Sequence, residues 1–136
     1  MKTQVLRADH DFVALPLVEG RGEVRAIIWP GMAARHRSLH YLSLAAGART
    51  VPHRHPNSEA VYYVISGTGA VHDLDAEAAY AVRAGSVVLM TAGTRYRIAA
   101  APDAALVCIG GPCPPDPALY ASAGDRRRAA HPEGLA

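Results

Sequence analysis

The stretch that decides the fold reads Gly47-Ala48-Arg49-Thr50-Val51-Pro52-His53-Arg54-His55-Pro56-Asn57-Ser58-Glu59, then runs through Val61–Ile65 to Gly67. On an extended chain, side chains at i and i+2 point to the same side. His53 and His55 can therefore turn their imidazoles toward one ion. Pro52 and Pro56 stiffen the segment and favour extended backbone at Val51 and His55. A turn through Pro56–Ser58 would carry Glu59 back toward the pair. Two imidazoles and one carboxylate form a facial set that leaves positions open for substrate or oxygen. Such a set suits Fe(II), Mn(II), Ni(II), Zn(II) or Cu(II), and with two nitrogens and one carboxylate Fe(II) is favoured.

Outward from this stretch the pattern is of short apolar runs broken by Gly and Pro, which reads as strands and turns. Val24–Trp29 is apolar and β-branched, and Pro30-Gly31 ends it. Ser38–Leu44 alternates, with His40, Leu42 and Leu44 on one face. Val61–Ile65 is a strong strand that Ser66-Gly67-Thr68-Gly69 stops, and Gly69–Asp73 starts another. Ala76–Val82, Ser86–Met90, Arg95–Ala99 and Ala105–Ile109 follow as strands. Many short strands without a long helix predict an all-β antiparallel sandwich or barrel. Gly110-Gly111-Pro112 closes the regular pattern. The segment from Pro112 to Pro117 is too proline-rich for a central strand, Ala118–Ala123 could form a helical turn or two, and Gly124 onward reads as frayed.

With 136 residues, the chain suits one domain. Half the residues are apolar and 19% are charged, a globular composition. A formal net charge of +2 and 6% aromatic residues argue against a nucleic-acid partner. Arg126-Arg127-Arg128 is read as a solvated tail. No stretch is long and apolar enough to span a bilayer. The N-terminus lacks an apolar signal region, so the cytoplasm is the expected location. Cys108 and Cys113 give no disulfide framework; Cys108 is read as a core residue and Cys113 as exposed.

The frame of Gly47, His53, His55, Glu59 and Gly67 resembles the first motif of the cupin superfamily, G-x5-H-x-H-x(3,4)-E-x6-G. Gly85 and Gly93 fall in register with the second motif, G-x5-P-x-G-x2-H-x3-N. The resemblance covers about residues 38–111 and identifies the chain with the small single-domain cupins. It implies an antiparallel double-stranded β-helix, a jelly-roll-like barrel, over 38–111. Residues 1–37 then supply extra N-terminal strands, and 112–136 a proline-rich, basic C-terminal tail. Two departures bear on the site. Glu59 follows the shorter spacing, leaving seven residues before Gly67, and the longer spacing would place Ala60 in the ligand position. A one-residue slip turns a side chain to the other face, so Glu59 reaches the metal only if a turn or bulge resets the register. In the second motif, Thr91 replaces proline, Ala100 replaces asparagine, and Tyr96 stands where the metal-binding histidine would be.

Tyr96 then has three readings: an anionic ligand, a general acid or base, or a core tyrosine with a hydrogen-bond partner. His40 is either a replacement nitrogen ligand or a satisfied barrel histidine, and with Tyr63 it is expected to line the pocket. The resemblance implies a metal-dependent enzyme acting on a small organic molecule. The choice lies between non-haem iron dioxygenase chemistry and a lyase, isomerase or cyclase. The alternative is a non-catalytic cupin that binds a small molecule, for sensing or as an auxiliary protein. The expected partners are that small molecule and a second copy of the chain in a homodimer, with no nucleic acid and no membrane.

Overall fold

A computed structural model describes residues 3–121. Among these, ten strands appear: β1 (Val13–Leu15), β2 (Val18–Glu19), β3 (Gly22–Ile28), β4 (Leu39–Leu44), β5 (Arg49–Thr50), β6 (Glu59–Asp73), β7 (Ala78–Arg83), β8 (Val87–Met90), β9 (Tyr96–Ala100) and β10 (Leu106–Cys113). All named pairings are antiparallel. They build two sheets, β8-β6-β10-β4-β3-β1 and β7-β6-β9-β5-β2, which share β6 and curl into a barrel.

The sharing of β6 departs from the expected break at Ser66–Gly69. Those residues bend the chain and do not end the strand, so β6 runs 15 residues. Its first part pairs with β10 and β8, and its second with β9 and β7. Gly67 adopts a φ of 89°, and a Cβ there would strike the Ala105 carbonyl oxygen. The opposing β10 shifts register between Val107 and Cys108, a bulge that lets the strand turn from one sheet into the other.

Alternation fills the interior. Leu42 and Leu44 of β4, Val64 of β6, Ile98 of β9, and Leu106 and Cys108 of β10 are all almost fully buried. Each large aliphatic side chain so buried stabilises the fold by about 1.5–3 kcal/mol. The N-terminal strands widen their own barrel: β3 pairs with β4, β1 with β3, and β2 with β5.

The C-terminal end also differs from expectation, because β10 continues through Pro112 to Cys113. There its ladder partner among the described residues is β6, with Pro112 opposite Ala60, since pairing with β4 stops at Gly110. The proline therefore lies where one edge of the strand is free and no ladder N–H is required. The Pro112 carbonyl accepts a hydrogen bond from Ser38 Oγ at 2.5 Å. The chain then turns through a 3-10 helix at Pro117–Tyr120. Arg126–Arg128 and the rest of 122–136 lie outside the described residues. Among the described residues, no helix is long and apolar enough to cross a membrane.

Candidate active site

Ladder geometry brings the first two residues together. His53 and Tyr96 face each other in an isolated antiparallel bridge, exchanging both backbone hydrogen bonds at 3.0 and 2.9 Å. Their rings lie 4.4 Å apart, centroid to centroid. Two residues on, His55 points to the same side, 5.0 Å from the His53 ring and 5.6 Å from Tyr96. The His55 carbonyl then accepts from the Ser58 and Gly93 amides, which fixes the turn that follows.

His55 and Tyr96 are almost fully buried, at 2% and 1% exposure, and a chain of hydrogen bonds runs through them. The His55 Nδ1–H donates to Asp116 Oδ2 at 2.9 Å. This assignment fixes the tautomer, so Nε2 presents a lone pair. The Tyr96 hydroxyl donates to that Nε2 at 2.9 Å. The Tyr62 hydroxyl lies 3.4 Å from the Tyr96 oxygen and extends the chain. Burial holds the Tyr96 phenol well above its ordinary pKa and pushes Tyr62 up to about 12. Both therefore carry their protons at neutral pH. His53 is the more open ring. Its Nδ1–H donates to the Val51 carbonyl at 2.7 Å, and burial pushes its pKa down to about 4, so it is neutral with Nε2 as an acceptor.

Asp116 arrives from the segment after β10. Its Oδ1 accepts from the Ala118 amide at 3.1 Å, capping the 3-10 helix, while Oδ2 holds His55. Two serine hydroxyls fasten this segment to the barrel: Ser38 to the Pro112 carbonyl, and Ser58 to the Pro114 carbonyl at 2.6 Å. The same segment supplies Tyr120, whose hydroxyl meets His40 Nε2 at 2.6 Å and whose ring packs 5.5 Å from Trp29. His40 is buried, and desolvation pushes its pKa down to about 3. Its ring is enclosed in the barrel and hydrogen-bonded to Tyr120.

Two expected site residues are not brought to this cluster. Glu59 is exposed, and along β6 the residues Glu59, Val61, Tyr63 and Ile65 face outward while Ala60, Tyr62 and Val64 face in. The ladder is in register here, with Glu59 opposite Cys113 and Ala60 opposite Pro112 and Met90. No bulge rescues the carboxylate, and the inward position is Ala60. Tyr63 is 47% exposed for the same reason, and Tyr62 takes the interior place.

The donor set therefore does not fit the divalent ion that the family resemblance implies. The carboxylate position holds alanine, both His55 nitrogens are engaged, and the remaining oxygen donor is a phenol held in its protonated form. Among the described residues, no three His, Cys, Asp or Glu side chains are grouped to hold a metal. The sequence reading missed Tyr62, Asp116 and Tyr120. Two of them had a signal: alternation with Ala60 and Val64 turns Tyr62 inward, and Asp116 before Pro117 is a helix-capping pair.

Comparisons with known proteins agree with this architecture. The family model described as "Cupin domain" matches residues 40–110. No curated protein matches the chain. A cupin-like protein from Thermotoga maritima superposes with a TM-score of 0.66 at 23% identity, covering 76% of each chain. A predicted oxalate decarboxylase from the same organism gives 0.67 at 19%, covering 81% of this chain and 98% of its own. A polyketide cyclase from Streptomyces resistomycificus gives 0.65 at 21%, covering 90% and 94%. At these identities the likeness is one of fold. With the family match spanning more than half of its length, the chain belongs to the cupin domain family.

Proposed function

We propose that this cupin is an enzyme of the lyase, isomerase or cyclase kind that moves a proton on a small carbonyl-bearing organic molecule. The observation that carries this reading is the buried hydrogen-bond chain Asp116–His55–Tyr96–Tyr62. A phenol beside an imidazole oriented by Asp116 can serve as a proton relay. As a base, Tyr96 takes a proton from the carbon next to the carbonyl while its own proton passes to His55 Nε2. Asp116 stabilises the imidazolium so formed. The protonated Tyr62 hydroxyl keeps its proton and donates a hydrogen bond to the oxygen where negative charge develops. The returning proton is delivered to a different atom of the substrate, which completes an isomerisation, ring closure or elimination. His53, the open ring beside Tyr96, is the group an entering molecule meets first.

The iron-dioxygenase alternative depended on Glu59 as a ligand, and Glu59 faces the other way. A binding-only cupin is favoured by one observation: the buried polar groups already satisfy one another. Proton exchange separates the two. A panel of small ketones in D2O, followed by proton NMR, should lose α-proton signal faster with the protein present, and Tyr96→Phe should slow this by about 10²–10⁴-fold. Tight binding of panel members with no accelerated exchange would support the binding-only reading.

A further inference from the structure

We infer, resting on the proton-transfer reading above, that the substrate is a hydroxylated ketone of about two fused rings whose ring body lies in a cleft between β7 and β8. These two strands belong to different sheets, and among the described residues each pairs with β6 alone. No ladder closes the seam between them. A cleft of ≈ 570 Å³ runs along it, lined by Val71, Tyr80, Val82, Val88 and Met90, with Asp73 at the end of β6. Register gives the direction of each lining residue. Val71 stands opposite Ile98 and Tyr80, and Gly69 stands opposite Ala100 and Val82. Ile98 and Ala100 belong to the core, so Tyr80 and Val82 occupy inward positions of β7. Val82 is buried, yet Tyr80 is 58% exposed. An aromatic ring at an inward position with more than half of its surface uncovered marks a wall without a filling.

The cleft borders the hydrogen-bond chain in both sheets. Val88 and Met90 stand opposite Tyr62 and Ala60, which are buried, so they face inward from β8. Tyr62 is thus one strand in from Val88, and Tyr96 is one strand in from Asp73, its ladder partner. Neighbouring strands lie about 4.8 Å apart, so a molecule in the cleft presents its inner edge to both phenols. Volume sets its size. A closed cavity of about 150 Å³ takes a benzene ring, so an open cleft of this volume has room for about two fused rings and their substituents. Three valines, a methionine and the Tyr80 ring suit a flat apolar body. Asp73 sets the polar requirement. Its Oδ1 accepts from the Asp75 and Ala76 amides at 3.0 and 2.9 Å, while its Oδ2 has no partner among the described residues. A free carboxylate oxygen accepts from an O–H, so the ring body carries a hydroxyl at that end.

The test uses the full chain with labelled methionine methyls, because Met90 lines the cleft and Met32 does not. In proton–carbon NMR, a hydroxytetralone should shift the Met90 methyl and leave Met32 in place. It should bind about tenfold more tightly than unsubstituted tetralone. Asp73→Asn, which keeps an acceptor for the turn amides, should bring that preference below about threefold. Tyr80→Ala should weaken both compounds by about tenfold or more, and carries the test should Asp73→Asn not fold. Ile65→Thr, on the outer face of β6, should change neither. In D2O, α-proton exchange should be faster for the hydroxytetralone than for cyclopentanone, which is too small to span the cleft. No Met90 shift up to about 1 mM overturns the inference. So does a hydroxyl preference that survives Asp73→Asn, or an Ile65→Thr effect equal to that of Tyr80→Ala. The expected Met90 shifts without any exchange keep the cleft as a binding site and remove the proton-transfer reading. Exchange that Tyr96→Phe abolishes, with no Met90 shift, keeps that reading and removes the cleft.

Discussion

Acidification should unfold this barrel through two histidines that cannot take up a proton. His40 and His53 have pKa values pushed down to about 3 and about 4, against 6.5 for an unburied imidazole. Above pH 6.5 both are neutral in the folded and the unfolded chain, and nothing is lost. As pH falls below 6.5 the unfolded chain binds protons that the folded barrel refuses, so stability drops until the folded values are reached. Between pH 7 and pH 5 each histidine contributes a loss of about 2 kcal/mol, so about 4 kcal/mol together. That is a large share of a domain stability of about 5–15 kcal/mol. At roughly 4 °C per kcal/mol, the melting temperature should fall by about 16 °C over this range. His40→Gln keeps an amide beside the Tyr120 hydroxyl and removes one of the two groups, which should halve the drop. Urea denaturation at half-unit pH intervals measures it. A flat wild-type profile, or identical slopes for wild type and His40→Gln, would refute the desolvation argument.

Other outcomes follow from the same contacts. Asp116→Ala strips the acceptor from the buried His55 Nδ1–H. It should cost about 1–3 kcal/mol, and nitrogen NMR of the imidazole should show the single Nδ1–H tautomer giving way to a mixture. Glu59→Ala should leave stability within about 0.5 kcal/mol and zinc affinity unchanged. A tenfold or greater loss of zinc affinity in a titration would contradict the outward placement of Glu59. Cys113 is exposed, whereas burial pushes the Cys108 thiol up to about 12. A thiol reagent at pH 8 should therefore modify Cys113 alone until denaturant is added, and rapid reaction of both would overturn the burial of β10.

Much of the barrel was legible because alternation is local. The inward set His40, Leu42 and Leu44 and the inward Tyr96 and Ile98 can be read from their neighbours, and each is buried. The convergence of His53 and His55 follows from the same two-residue period. Glu59 was harder, because its direction depends on whether the turn after His55 adds or absorbs a residue. Only the pairing with Cys113 decides that. Residues 66–69 misled for a related reason: a Gly-rich stretch marks backbone that leaves the flat ladder, and both a turn and a bend within a strand do so. Asp116 and Tyr120 were least legible. They lie 61 residues from His55 and 80 from His40, their respective partners, in a segment whose composition suggests a loop.

The fastening of that segment has a consequence for how such a protein can diverge. Tyr96 lies in β9, and His53 and His55 lie in the segment between β5 and β6, but the carboxyl group that orients His55 belongs to a strap pinned beside Pro112 and Pro114 by two serine hydroxyls. The strap also enters the core, because Tyr120 meets His40 and packs on Trp29, so changes in barrel and strap are coupled there. A graft of residues 112–121 from another barrel would exchange the partner of the His55 imidazole together with the Tyr120 contact to His40 and Trp29. The setting of the chemistry and one piece of the core are therefore inherited together.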